Sequence, residues 1–292
     1  MEGILLIYKE KDWTSHDVVA KVRRIYNTKK VGHTGTLDPM ATGLLPICIG
    51  RATKLADYIS QDRKAYIASA DFGYQTNTYD ITGEVTEKSD SIHLEELDSV
   101  FENYLGEIHQ IPPMFSAIKV NGKKLYEYAR KGMEIERKSR KVTIYSLKIL
   151  ERNSSSLKFY VECSSGTYIR SLIDSMGKDL GCYATMTDLE RVSVGEFDVK
   201  EAIPISELEK VSEEERIELL KPLDQAIQFL PRVNISNQYR KYALNGRAIP
   251  VKNLPKEKID SYRVYLDNEF IGLGFYTKEN GQAYFRMKKV II

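Results

Sequence analysis

The sequence predicts an α+β fold, with a large first domain over residues 1–229 and a small β-rich domain over residues 230–292. Three observations lead there. Strand-like and helix-like segments are mixed, with several hairpin-like neighbours, instead of alternating as regular βαβ units. An acidic helical stretch near 212–220 runs into Leu230-Pro231, where the pattern breaks. Beyond that break, one helical stretch (237–245) precedes three short strand patterns at 262–267, 270–276 and 282–287. A hydrophobic fraction of 42% in 292 residues is enough for such cores and excludes a disordered or fibrous chain.

The elements follow in order. Residues 3–8 (Gly-Ile-Leu-Leu-Ile-Tyr) read as a strand. Ser15 is placed to N-cap a helix whose apolar face is Val18, Val19, Val22, Ile25 and Tyr26. Residues 31–43 are crowded with Gly, Thr, Asp and Pro and read as irregular. A buried strand over 44–50 and a short helix over 53–60 come next. Tyr66 to Phe72 alternates, with Tyr66, Ala68, Ala70 and Phe72 on one face, and 94–105 reads as an amphipathic helix. After Pro112-Pro113, a short strand at 116–120 meets the turn signal Asn121-Gly122, and Leu125, Tyr128 and Ala129 can centre a short helix. Residues 142–150 and 157–163 alternate like paired strands, Gly166 opens a helix running to Leu180, and 188–197 reads as a strand.

Charge is patterned although the total is only +2. Residues 84–107 carry −7, 119–141 carry +6, 201–221 carry −4 and 231–292 carry +7. Both basic stretches are interleaved with tyrosines: Tyr126 and Tyr128 in the first; Tyr239, Tyr242, Tyr262, Tyr265, Tyr276 and Tyr284 in the second. Such surfaces suit single-stranded or looped nucleic acid, with charge on phosphates and rings on bases. No apolar run is long enough to span a bilayer, and the N-terminal segment lacks the basic lead-in of a signal peptide. A cytoplasmic chain is therefore expected. Cys48, Cys163 and Cys182 lie far apart without a CxxC, which removes a disulfide framework and a Cys-rich zinc site.

The densest cluster of special residues is Gly32-His33-Thr34-Gly35-Thr36-Leu37-Asp38-Pro39-Met40-Ala41-Thr42-Gly43. It is no P-loop, because Gly-Lys-Ser/Thr does not follow at the required spacing. The proline biases Asp38 toward extended backbone, so a rigid turn presents its carboxylate. Two readings stand: Asp38 N-caps a helical turn with Pro39 at N1, or it is a functional carboxylate beside His33.

This loop resembles the catalytic motif of the bacterial tRNA pseudouridine-55 synthases, the TruB family. The likeness continues in collinear blocks over residues 3–197: Thr14-Ser15-His16-Asp17, Gly50-Arg51-Ala52-Thr53-Lys54, Lys64-Ala65-Tyr66 with Gly73, Thr76 to Gly83, Gln110 to Ala117, and Gly166-Thr167-Tyr168-Ile169-Arg170. The resemblance implies the pseudouridine-synthase fold, a mixed and largely antiparallel sheet flanked by helices, followed by a PUA-like RNA-binding domain. It implies isomerisation of a T-loop uridine by base flipping, with no metal and no redox cofactor. Asp38 then corresponds to the nucleophilic aspartate, and Arg170 to the arginine that pairs with it and keeps it ionised. Tyr66 corresponds to the tyrosine stacked on the target base, Tyr168 and Leu189 to the lining of the uracil pocket, and His33 to the residue filling the gap left by the flipped nucleotide.

Taken as residues alone, Tyr66 and Leu189 also read as core, Arg170 as a surface arginine of its helix and His33 as a loop-capping histidine. The basic segment 119–141 falls where the family carries an RNA-gripping insertion. One departure stands out: the family often has two arginines after the pocket leucine, whereas Leu189-Glu190-Arg191 puts an acid first and leaves a phosphate contact there in doubt. The expected partner is the T-arm stem-loop of tRNA, met by a monomer without an obligatory protein partner. The competing expectations are a tRNA-folding chaperone of the same fold and an RNA-guided relative built into a larger particle.

Overall fold

The computed structural model describes residues 1–60, 63–92, 94–255 and 259–292. Strand β1 (Gly3–Lys9) sends Leu5 and Ile7 into one apolar core and Ile4 and Leu6 into another, the alternation of a strand buried on both faces. Helix α1 (Ser15–Ile25) packs Val18, Val19 and Val22 into the first core. Its cap is Thr14, not Ser15. The Thr14 hydroxyl accepts the Asp17 N–H at 3.1 Å while the Asp17 carboxylate accepts the Thr14 N–H at 2.9 Å, a capping box that leaves Ser15 free to point inward.

The stretch 31–43 is less irregular than its composition implies. β2 (Val31–His33) pairs antiparallel with β3 (Thr42–Ile49), because the backbone groups at both ends of the loop find ladder partners. A 3₁₀ turn over Gly50–Leu55 and α2 (Ala56–Ser60) replace the single helix expected over 53–60. β4 (Lys64–Phe72) follows, then a ribbon of β5 (Tyr74–Thr76) and β6 (Val85–Lys88), then α3 (Leu97–Asn103) and β7 (Gly106–Gln110). β8 (Lys119–Val120) and β9 (Lys123–Lys124) close around Asn121 and Gly122, whose φ values are +51° and +80°. The strand expected over 116–120 is thus confined to its last two residues. α4 (Leu125–Ala129) leads to β10 (Arg140–Arg152), β11 (Ser156–Cys163) and α5 (Ile169–Asp179). The basic segment 119–141 therefore ends inside the sheet, with Arg140 and Lys141 paired to Gln110 and His109. Gly166, at φ +86°, turns the chain ahead of α5 and does not start it. β12 (Ala184–Val194), β13 (Phe197–Asp198), β14 (Ile203–Pro204), α6 (Ile205–Leu208) and α7 (Glu213–Glu218) complete the first unit. The strand expected at 188–197 thus begins at Ala184.

The large sheet runs β14-β1-β3-β12-β4-β11-β10-β7, with β2 and β13 at its margin. Its pairs are antiparallel except β1 with β14 and β3 with β12. Apolar residues of α1, α3 and α5 cover one face. Against the other face packs the small sheet formed by β15 (Arg232–Ile235), β16 (Ile249–Pro250), β17 (Tyr262–Leu266), β18 (Glu269–Glu279) and β19 (Gln282–Val290), in the order β15-β17-β18-β19-β16 and carrying α8 (Arg240–Leu244). Leu273 and Ile291 enter the core formed by Ile4, Leu44, Leu55 and Phe197, so the two units share apolar contacts. Two of the tyrosines expected on the basic C-terminal surface, Tyr262 and Tyr265, are interior, at 5% and 4% exposure. Among the described residues no helix is long and apolar enough to cross a membrane.

Candidate active site

The Asp38 loop is fixed from below before any charge is considered. The Ser15 hydroxyl accepts the Leu37 N–H at 2.9 Å and donates to the Leu37 carbonyl at 3.3 Å. Leu37, Met40 and Ala41 are buried. The Ala41 N–H donates to the Asp38 carbonyl at 3.1 Å, closing a turn with Asp in its first position and Pro39 in its second. Asp38 thus starts a turn and not a helix. The Lys9 ammonium, wholly buried, donates to the carbonyls of Glu10 (3.1 Å), Trp13 (2.7 Å) and Pro39 (3.1 Å). Burial pulls that ammonium down to about 8, against the attraction of Asp38.

The Asp38 carboxylate is held by Arg170 on the first turn of α5. Nε of Arg170 lies 3.0 Å from Oδ2 and Nη2 lies 3.2 Å from Oδ1, a two-pronged ion pair. The other donor directions of the guanidinium are also used: Nη1 reaches the Thr78 carbonyl (3.0 Å) and Asp80 Oδ2 (3.4 Å), and Nη2 reaches the Phe115 carbonyl (2.9 Å). The Arg170 side chain is 6% exposed, so it is no surface arginine, while the Asp38 side chain keeps 35% of its surface open. One carboxylate is therefore fixed on its inner side and reachable from outside. Burial raises the Asp38 carboxyl above its ordinary value; Arg170 opposes the rise and the neighbouring Asp80 adds to it.

Asp80 is a member of this cluster that the residue pattern did not single out. It is 4% exposed, and its Oδ1 accepts from the Thr78 hydroxyl (2.8 Å) and the Thr82 N–H (3.0 Å). The Thr78-Tyr79-Asp80-Ile81-Thr82 spacing was the available signal, since hydroxyls on both sides can saturate one carboxylate oxygen.

Of the remaining expected residues, Tyr66 and Tyr168 sense the Asp38 charge. Tyr66 on β4 is 8% exposed and interacts with the Arg191 guanidinium; burial pushes its hydroxyl up to about 12, and it feels the charge of Asp38. Tyr168 stands just before α5, its backbone bracketed by the Gln110 carboxamide, which accepts its N–H at 2.8 Å and donates to its carbonyl at 3.0 Å. Burial raises the Tyr168 hydroxyl as well, and it too senses Asp38. Leu189 lies opposite Ala68 across the β12–β4 ladder, 6% exposed and part of the main core. His33 stands apart from the ion pair. Its ring centroid is 5.7 Å from that of His16, its Nδ1 is buried without a hydrogen-bond partner, and burial pulls the imidazole down to about 4.

The two residues after Leu189 also have defined places. Glu190 accepts the Tyr8 hydroxyl at 3.2 Å. Arg191 is 1% exposed and donates to the carbonyls of Leu44 (2.7 Å) and Gly35 (3.2 Å), so it points into the protein and not at a phosphate. Gly43, at φ +100°, lets β3 start against this strand: a Cβ there would lie 2.4 Å from the Arg191 carbonyl oxygen. Gly43→Ala is expected to cost more than about 1 kcal/mol in urea unfolding. Gly106→Ala, with φ +84° and no atom within 4 Å, reports the backbone strain alone, and its loss should be smaller. Among the described residues no group of three His, Cys, Asp or Glu side chains could hold a metal ion.

The fold, a mixed sheet with helices on one face and a small second sheet packed on the other, is shared with solved structures. A chain of a Cbf5–Nop10–Gar1 complex superposes at TM-score 0.77, with 27% identity over 99% of this chain and 85% of that one. A chain of an archaeal box H/ACA Nop10–Cbf5 complex does so at 0.74, with 25% identity over 99% and 86%.

The sequence narrows the class further. Residues 23–169 match the TruB family pseudouridylate synthase N-terminal domain, and 170–228 match the tRNA pseudouridylate synthase B C-terminal domain. The tRNA pseudouridine synthase B of Clostridium kluyveri is 45% identical over the whole of both chains. That of Bacillus pumilus is 46% identical over 86% of this chain and 84% of its own. The chain belongs to the TruB family of pseudouridylate synthases, and it is an isomerase.

Proposed function

We propose that this enzyme converts uridine 55 in the T-loop of tRNA to pseudouridine, with Asp38 as the catalytic carboxylate acting on a flipped-out nucleotide. The observation that carries the reading is the Asp38–Arg170 pair: a carboxylate locked in orientation from beneath, with a third of its side chain open to a ligand. tRNA as the substrate agrees with the names borne by the full-length relatives.

The reaction breaks the N1–C1′ bond, turns the base and joins C5 to C1′, so that C5 loses a proton and N1 gains one. Arg170 holds Asp38 in one orientation, which saves the ordering cost at the moment of attack. Tyr66 and Tyr168 enter as neutral phenols and, with Leu189, offer flat and apolar walls to a base taken out of its stack. Flipping costs a few kcal/mol of stacking, and the uncharged His33 ring fills the place the nucleotide leaves.

Binding draws on the basic segments. Tyr126 lies between Lys124 and Arg130, whose charged groups are 5.4 and 5.3 Å from its ring centroid. Tyr239 and Tyr242 meet edge to face at 6.0 Å beside Arg240 and Lys241. We place the enzyme in the cytoplasm as a monomer that needs no protein partner, a setting that suits its three buried cysteines.

The direct test is a T-arm stem-loop transcript incubated with purified protein and mapped for pseudouridine by chemical modification and primer extension. One new pseudouridine in the loop, made without added cofactor, is the expected result. Tight binding without product would favour the RNA-folding chaperone and overturn the reading.

Two further results are expected in the same assay. Affinity should fall steeply with salt, and neutralising the exposed bases of 119–141 and 231–292 should flatten that slope by about 0.7–0.9 for each phosphate left without its cation. Unchanged affinity in the neutralised protein would remove these segments from the interface. In kcat/KM, activity should rise with pH along an acid limb lying above the ordinary aspartate value of 3.8, because the reactive form is the carboxylate and burial has raised its pKa. His33, pulled down to about 4, should add no limb in the neutral range.

A further inference from the structure

Arg191 is among the largest fully buried side chains of the protein, and among the described residues no carboxylate forms an ion pair with it. A buried cation without a counter-ion is costly, and an apolar side chain of similar volume would commonly pack there at no loss. Its hydrogen bonds say what the charge is held for. Nε donates to the Leu44 carbonyl and Nη2 to the Gly35 carbonyl, the two shoulders of the Asp38 loop. The guanidinium also interacts with the Tyr66 hydroxyl. That third contact is built into the sheet, because Arg191 and Tyr66 are directly opposed across the β12–β4 ladder. At the same point the Arg191 backbone meets Gly43, where only a glycine fits.

We propose that Arg191 is a positioning residue for the isomerisation, tying both shoulders of the Asp38 loop and the Tyr66 hydroxyl to one fixed point. A guanidinium only donates, so the Tyr66 oxygen must accept from it, and the hydroxyl hydrogen is turned away from Arg191 and left for the bound base. Arg191 therefore acts through Asp38 and Tyr66 and touches neither the substrate nor its phosphates. This rests on the roles proposed above for those two residues.

The test compares Arg191→Met and Arg191→Lys, each alone and combined with Tyr66→Phe, in single-turnover pseudouridine formation on the T-arm transcript. Arg191→Met should slow the reaction about 10²-fold, the order of loss expected from a small misplacement of reacting groups. Arg191→Lys, which restores a cation but not the forked geometry, should recover part of the rate. The transcript Kd and its salt slope should stay within about twofold of the parent protein, since every phosphate keeps its cation. In the Tyr66→Phe background the Arg191 substitutions should cost less, because the hydroxyl they act through is already gone.

A lowered salt slope with a weakened Kd would make Arg191 a phosphate ligand and overturn the proposal. So would an unchanged rate, or an equal loss with and without the Tyr66 hydroxyl. If Arg191→Met does not fold by circular dichroism, Arg191→Lys carries the same comparison. Unsubstituted protein runs alongside: if it makes no pseudouridine in the T-arm, the functional reading fails and this proposal falls with it. If it does and the variants match it, the positioning role alone fails.

Discussion

Asp38→Asn is expected to abolish pseudouridine formation, by at least about 10⁴-fold in single-turnover rate, the scale seen when an essential nucleophile is removed. The amide is nearly isosteric with the carboxylate and still offers one oxygen to the Arg170 fork. Arg170 would keep its bonds to the Thr78 and Phe115 carbonyls and its pairing with Asp80, so nothing else in the cluster loses its last partner. The loop itself is held by Ser15, Lys9 and Arg191 through backbone groups that the substitution does not touch. The variant should therefore fold like the parent and bind the T-arm transcript within a few-fold, since in the role proposed for Asp38 the missing charge meets a base and a sugar and no phosphate. Filter binding and primer-extension mapping on the same preparations check both halves. Retained catalysis would remove Asp38 as the nucleophile; abolished binding would make its role one of substrate capture.

What the chain's own pattern made legible, and what it hid, follows from how far apart the partners lie. The Asp38 turn could be read locally, because glycines, a proline and an aspartate within a few residues leave few backbone choices. The alternation of β4 and the amphipathic face of α1 were equally local. Arg170 could be paired with Asp38 only through the family resemblance, for the two lie on different elements and no periodicity links them.

The burial of three charges went unread. Lys9 sits at the end of a strand, Asp80 in a polar turn and Arg191 on a strand after an acid, places where a charged side chain is ordinarily solvated. Lys9 and Arg191 are satisfied by carbonyls of distant segments and Asp80 is covered by the distant Arg170, which residue types alone do not announce. The strands that escaped notice failed for a related reason. Val85–Lys88 is exposed at every position, and a strand with no buried face has no alternation to detect, while the inner face of Gly106–Gln110 consists only of Ile108 and the polar Gln110, too little apolar pattern to read.

Arg170 is where structure and chemistry are most tightly joined, and its replacement should show both. In Arg170→Met two neighbouring carboxylates, Asp38 and Asp80, lose their shared cation, and Asp80 is almost wholly buried. Breaking a buried pair from one side costs about 3–5 kcal/mol, so the variant should unfold at markedly lower urea at neutral pH. The sign of the pH dependence follows. Burial raises the Asp38 carboxyl above its unfolded-chain value even with the guanidinium present, and removing the opposing cation raises it further. Its neutral form is then favoured on folding, and the deficit against the parent should narrow as pH falls through that raised value. Turnover should be lost with the orientation of Asp38. Arg170→Lys separates the two roles, because an ammonium can neutralise the site but cannot grip Asp38 by two prongs while reaching Asp80. It should regain most of the stability and little of the rate. Near-parental turnover in Arg170→Lys would reduce Arg170 to a bulk charge, and an Arg170→Met protein as stable as the parent at neutral pH would show that the two carboxylates do not depend on it.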